Sequence, residues 1–94
     1  MAKIEFDARK SERNAVERGL PFERVADFEW EEAVVIADVR RDYGERRLVA
    51  TGCLDGRLHV LCFVRIPDGV RVISLRKANK REVLEYEQAK TVDE

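Results

Sequence analysis

Apolar positions recur along this chain with two different periods, and the change falls near residue 33. Before it the spacing is helical. Asp7 is placed to cap a helix from Ala8 to Arg18, and Gly19 suits the left-handed stop just past its end. That helix carries little apolar surface, only Ala8, Ala15 and Val16, so it is solvated or lies against a partner. Pro21 favours a second helical start, with Phe22, Val25, Ala26 and Glu29 on one side and Phe28 and Trp30 near the end. After residue 33 the pattern becomes strand-like: Ala33 to Ala37, then Leu48 to Leu54, Leu58 to Arg65 and Val70 to Arg76. Ile4-Glu5-Phe6 is a short alternating piece that suits an edge strand. Asn79 with Glu82 three residues on is a capping-box start for a last helix bearing Val83, Tyr86 and Ala89 on one side, and the residues after Lys90 are expected to fray.

The order predicts an α+β domain: a small antiparallel β-sheet packed with two N-terminal helices and one C-terminal helix. The helices are expected on one side of the sheet, leaving the other face open for a ligand. With 94 residues, a single domain spanning 1–94 is expected.

The turns refine the strands. Asp55-Gly56 is a two-residue hairpin signal. If these residues form the loop, Leu54 pairs with Arg57, Cys53 with Leu58 and Val49 with Cys62. The two cysteines are then not cross-strand partners, so both are expected to be free core filler. Two thiols and one histidine make no zinc pattern, and no metal or cofactor is expected. No stretch approaches the ~20 apolar residues of a membrane span, and the first residues lack the apolar run of a signal peptide, so a cytoplasmic protein without membrane partners is the expectation.

Charge alters the picture locally rather than globally. The chain carries 18 basic and 19 acidic residues, a net charge of −1, so its bulk electrostatics do not announce a nucleic-acid binder. Between Arg65 and Arg81, however, lie six basic residues (Arg65, Arg71, Arg76, Lys77, Lys80, Arg81) against the single acid Asp68, a local excess of five. Strict alternation puts Ser74 and Arg76 on one face of their strand and Arg71 on the other, so the two arginines form no simple clamp unless a bulge intervenes. The charged connection from Asp38 to Arg47 holds Tyr43, which could stack on a base or act as an acid, beside Asp42 and Glu45, which could equally pair with Arg40, Arg46 or Arg47. His59, the only histidine, sits in a strand and reads more simply as a packed residue than as an acid–base group. Asp7, Lys10 and Asn14 share one side of the first helix, where capping and surface pairing explain them, although Lys10 could contribute to a site with Arg13 and Arg18.

One family accounts for these segments together. Ile4-Glu5-Phe6-Asp7 with Lys10 and Asn14, Gly19 and Phe22-Glu23 come first. Asp42-Tyr43-Gly44-Glu45-Arg46, Gly52 and Asp55-Gly56-Arg57 follow. The run Arg71-Val72-Ile73-Ser74-Leu75-Arg76-Lys77-Ala78, with Arg81-Glu82 and Tyr86-Glu87, closes the pattern. Over residues 3 to 87 the chain resembles the BrnT-type toxins of bacterial type II toxin–antitoxin systems. The resemblance implies a RelE-like fold and an endoribonuclease that needs no metal and inhibits translation. It also implies neutralisation by a BrnA-type ribbon–helix–helix antitoxin, which would supply the complex's only contact with operator DNA. It favours a phosphate-binding role for Arg76, Arg71 and Lys77. Together with the loop and first-helix candidates, the expected site has Arg71, Arg76 and Tyr43 as catalytic residues and Lys77, Arg18 and Lys10 binding RNA phosphate. One departure opens an alternative. Just before Gly19 many relatives carry lysine-histidine, whereas this chain has Glu17-Arg18. A weakly active or inactive homologue, serving as an antitoxin-binding module and operon co-repressor, is the second reading.

Overall fold

The computed structural model describes residues 3–91. Its elements are β1 (Lys3–Glu5), α1 (Ala8–Arg18), two 3₁₀ segments (Phe22–Asp27 and Trp30–Glu32), β2 (Val34–Ala37), β3 (Leu48–Leu54), β4 (Arg57–Ile66), β5 (Gly69–Lys77) and α2 (Lys80–Thr91). Of the residues after Lys90, where fraying is expected, Thr91 is the last residue of α2, and 92–94 lie outside the described residues.

The sheet has five strands in the order β1-β5-β4-β3-β2. The run from β2 to β5 is an antiparallel meander, as expected, but β1 lies parallel to β5, so the sheet is mixed rather than antiparallel. The parallel pairing depends on Gly69. A Cβ there would stand 1.9 Å from the carbonyl oxygen of Lys3, so only glycine admits the edge strand. The β3–β4 hairpin has the register its turn demands: Leu54 opposite Arg57, Cys53 opposite Leu58 and Val49 opposite Cys62. Asp55 and Gly56 both take positive φ (55° and 74°), as a type I′ turn requires. Both cysteines are free.

One face of the sheet builds the core. Leu48, Ala50 and Leu54 of β3, Leu61 and Phe63 of β4, and Val72 and Leu75 of β5 pack with Phe22, Val25 and Phe28. The segment expected as a second α-helix is a pair of 3₁₀ turns instead. Its buried anchors, Phe22, Val25 and Phe28, recur every three residues, which matches three residues per turn better than 3.6. Trp30 closes this layer, with its ring edge-on to Phe28 and Phe63 at centroid distances of 4.9 and 5.1 Å. The ring of Phe28 lies over Gly52, where a Cβ would approach it to 2.7 Å.

The first helix begins and ends where its caps place it. Asp7 accepts from the amides of Arg9 and Lys10, and Gly19 takes φ 69°. Its docking is polar. Ser11 is its one buried residue and accepts from the Phe22 amide at 2.8 Å, while Asn14 Nδ2 donates to the carbonyls of Leu20 (2.7 Å) and Leu75 (2.9 Å).

The second helix corrects the expected layering. It does not join α1 and the 3₁₀ turns on the core side. It crosses the opposite face of the sheet, where Glu82, Glu85 and Tyr86 sit against Val34, Ile36, Val49, Thr51 and Val60. Tyr86 Oη ties it down by donating to the Glu32 carbonyl at 2.8 Å. The face expected to lie open therefore has a helix over one part and, as described next, a charged loop over another.

Candidate nucleic-acid interface

The decisive local feature is an irregularity in β5. Cys62 of β4 faces Ser74, but the next residue, Phe63, faces Val72, which leaves Ile73 as an extra residue. A bulge of this kind shifts the alternation by one place. Val64 pairs with Arg71, Cys62 with Ser74 and Val60 with Arg76, so all three β5 residues stand on the face away from the core. The bulge thus unites the two arginines that strict alternation separates. Their partners lie four positions apart on β4, which puts the Cα atoms about 13 Å apart, within reach of a shared ligand for two long side chains.

The connection between β2 and β3 folds over the same face. Asp38 is its anchor. Its side chain is 2% exposed, receives Nε and Nη2 of Arg40 on its two oxygens at 2.9 Å each, and accepts from the Tyr43 hydroxyl at 3.2 Å. The Arg40 guanidinium holds the Asp38 carboxyl well below the usual carboxylate range, and Asp38 in turn raises Arg40. Tyr43 is gripped on its ring as well, by Arg47 at 4.0 Å from the centroid. Gly44 then turns the chain at φ 71°, a conformation that costs a side-chain-bearing residue, and delivers Glu45 towards β5. Beneath the loop lies Cys62. Burial, then the charge of Asp38, push its thiol up, which leaves it an inert spacer.

Both β5 arginines meet carboxylates. Arg71 Nη2 donates to Glu45 Oε1 at 2.5 Å, and Glu45 Oε2 also receives Arg47 Nε at 3.4 Å. Arg76 makes a two-pronged pair with Glu82 at 2.8 and 2.7 Å. That same carboxylate closes the capping box of α2: it accepts from the Asn79 amide at 2.9 Å, while Asn79 Oδ1 accepts from the Glu82 amide at 2.8 Å. Arg76 is the main reason the Glu82 carboxyl falls to about 2.

The sequence-derived candidates divide accordingly. Arg71, Arg76 and Tyr43 share the outer face of the sheet. Lys77 does not: it pairs with His59 and belongs to the opposite side of β5, although it is exposed there. Lys10 and Arg18 are exposed on α1, which packs with the 3₁₀ layer on the core side, so the fold does not bring them to the arginine pair. His59 is 4% exposed on the core face, with Nδ1 2.7 Å from the Arg57 carbonyl oxygen, a packed strand residue. Among the described residues no three His, Cys, Asp or Glu side chains converge as a metal site, and no helix is long and apolar enough to cross a membrane. Sequence reasoning missed the carboxylate partners. In the sequence Glu82 reads as a cap but not as the holder of Arg76, and Glu45 pairs only with nearby arginines.

A family model described as the ribonuclease toxin BrnT of type II toxin–antitoxin systems matches residues 6–82. The chain belongs to the BrnT toxin family. No curated protein and no solved structure matches it. The BrnT match takes in α1, the Asp38–Arg47 loop and all of β5, and it ends at Glu82, the residue that binds Arg76. Membership makes this a toxin of the ribonuclease class with an antitoxin as its partner. A guanidinium pair beside a tyrosine-bearing loop is a chemically apt surface for such a role, since arginine forks bind phosphate through parallel charge-assisted bonds and stay charged.

Proposed function

We propose that this BrnT-family chain is a metal-independent endoribonuclease that cleaves RNA on the outer face of β4 and β5 and thereby inhibits translation. The observation that carries the reading is the β5 bulge, which sets Arg71, Ser74 and Arg76 on one face. Arg71 and Arg76 hold the phosphate and stabilise the charge that develops on it; Tyr43 shapes the loop above them through Asp38 and Arg47. Lys77, Lys10 and Arg18, which stand away from this face, are left out of the phosphate site. The fold is read as RelE-like. The partner is read as a BrnA-type ribbon–helix–helix antitoxin, through which alone the complex meets operator DNA.

The test is cleavage of RNA by the purified protein with and without a chelator. Cleavage should be indifferent to the chelator, and Arg71→Ala and Arg76→Ala should each lower it by about 100-fold with the fold retained. Undiminished cleavage in both folded variants would sink the assignment. A second reading, an inactive antitoxin-binding module, is favoured by one observation: each arginine already has a carboxylate partner in the folded chain. Absence of cleavage in either condition supports that reading.

A further inference from the structure

We propose that Glu45 is the general base of the cleavage reaction, an inference that rests on reading the outer face of β4 and β5 as a ribonuclease site. RNA cleavage without a metal needs an acceptor for the 2′-hydroxyl proton close to the cation that holds the phosphate, because the attacking oxygen and the phosphorus belong to the same nucleotide. Glu45 meets that demand: its Oε1 is 2.5 Å from Arg71 Nη2. A phosphate reaching Arg71 brings the neighbouring 2′-oxygen to this carboxylate.

The other carboxylates of the face are committed elsewhere, Glu85 to Arg81 on α2 and Asp42 to the Gly44 amide among them. Asp38 has Arg40 on both oxygens, the Tyr43 hydroxyl on one of them, and a side chain only 2% exposed. Glu82 has both oxygens on Arg76 and also accepts from the Asn79 amide. Glu5, level with Arg71 on β1, pairs with Lys3 at 3.6 Å. His59 is buried on the far side of the sheet. Among the described residues, Glu45 alone offers a carboxylate that is 30% exposed, touched once on each oxygen, and delivered by the turn at Gly44 to an arginine on the site face.

The step balances without any co-reactant beyond water. Glu45 takes the 2′-hydroxyl proton as the 2′-oxygen bonds to phosphorus. The bond from phosphorus to the 5′-oxygen breaks, and that oxygen takes a proton from water. Glu45 then returns its proton to solvent. The products are a 2′,3′-cyclic phosphate and a 5′-hydroxyl.

The test compares wild type, Glu45→Gln, Glu45→Asp and Arg71→Ala on an RNA whose cleavage site has been mapped. Binding is read on the same RNA with 2′-O-methyl groups, which cannot react. Glu45→Gln should lose about 100-fold or more in kcat, while its affinity for the inert RNA is unchanged or tighter. Glu45→Asp keeps the charge and should recover part of the rate, so a folding defect in the glutamine variant does not mask the result. A substrate with sulfur at the bridging 5′ position, whose leaving group needs no proton, should not rescue Glu45→Gln. Full or raised activity in Glu45→Gln makes the residue a latch on Arg71 and overturns the proposal. Rescue by the thio substrate assigns Glu45 to the acid step and also overturns it. If wild type cleaves, Arg71→Ala is inactive and Glu45→Gln is active, only the base assignment falls; if wild type cleaves nothing, the ribonuclease reading falls with it.

Discussion

Glu82 serves two structures at once, and its chemistry shows how the arginine face is held. One carboxylate caps α2 through the Asn79 amide and binds both prongs of Arg76, so the start of the helix and the end of β5 are locked together. Because Arg76 draws the folded-state carboxyl from 4.5 to about 2, the stabilisation is complete above the unfolded value and is lost as pH falls from about 4.5 towards 2. Arg76 is 39% exposed, so solvent screens the pair and the expected contribution is about 1–2 kcal/mol rather than the full linkage value. Glu82→Gln should therefore lower stability by about that amount at neutral pH and flatten the acid limb of a denaturation series between about pH 4.5 and 2. An unchanged acid limb in the variant would show that Arg76 and Glu82 do not pair in solution. Arg71 and Glu45 are a looser case, since the loop, rather than a helix cap, holds the acid in place.

At the scale of elements, the legible parts were those with local signals. The Asp7 and Gly19 caps, the Asp55-Gly56 turn and the Asn79–Glu82 box each act within a few residues, and α1, the β3–β4 register and the start of α2 follow from them. The misread parts depend on contacts distant in sequence. Phe22, Val25 and Phe28 fit either helical period until the sheet fixes how they must reach Phe63 and Leu75. The bulge at Ile73 leaves no mark on the alternation of β5, yet it decides whether Arg71 joins Arg76. The side of the sheet that α2 crosses is set by Glu82 reaching Arg76 and Tyr86 reaching Glu32, pairings that no local motif announces. Gly69 belongs to this class too, because a turn glycine gave no hint of a parallel neighbour. Gly69→Ala should expel β1 from the sheet edge, where Ile4 packs on the core, at a cost of about 1–3 kcal/mol. Hydrogen exchange should then show early loss of protection at Lys3, whose amide bonds to the Asp68 carbonyl, with the β3–β4 hairpin unaffected. Protection at Lys3 equal to wild type would show that the edge accommodates a side chain.

For the molecule as a whole, the open question is how a chain of net charge −1 holds a polyanion. The basic residues between Arg65 and Arg81 cluster in sequence, but the fold disperses them. Lys77 lies on the opposite side of β5 from Arg76, Arg81 pairs with Glu85 on α2, and Arg65 lies over the Phe63 ring at 5.9 Å. Lys80 lies at the start of α2 beside Arg57 and Ala78. Of the six, Arg71 and Arg76 stand on the site face, each with a carboxylate already bound. Binding RNA there is an exchange of partners, phosphate for carboxylate, and it displaces few counterions. Each phosphate neutralised on a single strand contributes about −0.7 to the slope of log affinity against log salt, so two or three contacts give a slope of about −1.4 to −2.1. Arg71→Ala should make that slope shallower by about one contact's worth, whereas Lys10→Ala, on α1, should leave it nearly unchanged. A titration of inert RNA from about 50 to about 200 mM salt measures both. A slope near −5 that neither variant alters would mean that RNA is held by a dispersed basic surface, and Arg71 and Arg76 would lose their claim to be the phosphate site. A shallow slope that Arg71→Ala reduces would place the affinity in the pair that the bulge brings together, and would explain why the chain needs no basic excess to act on RNA.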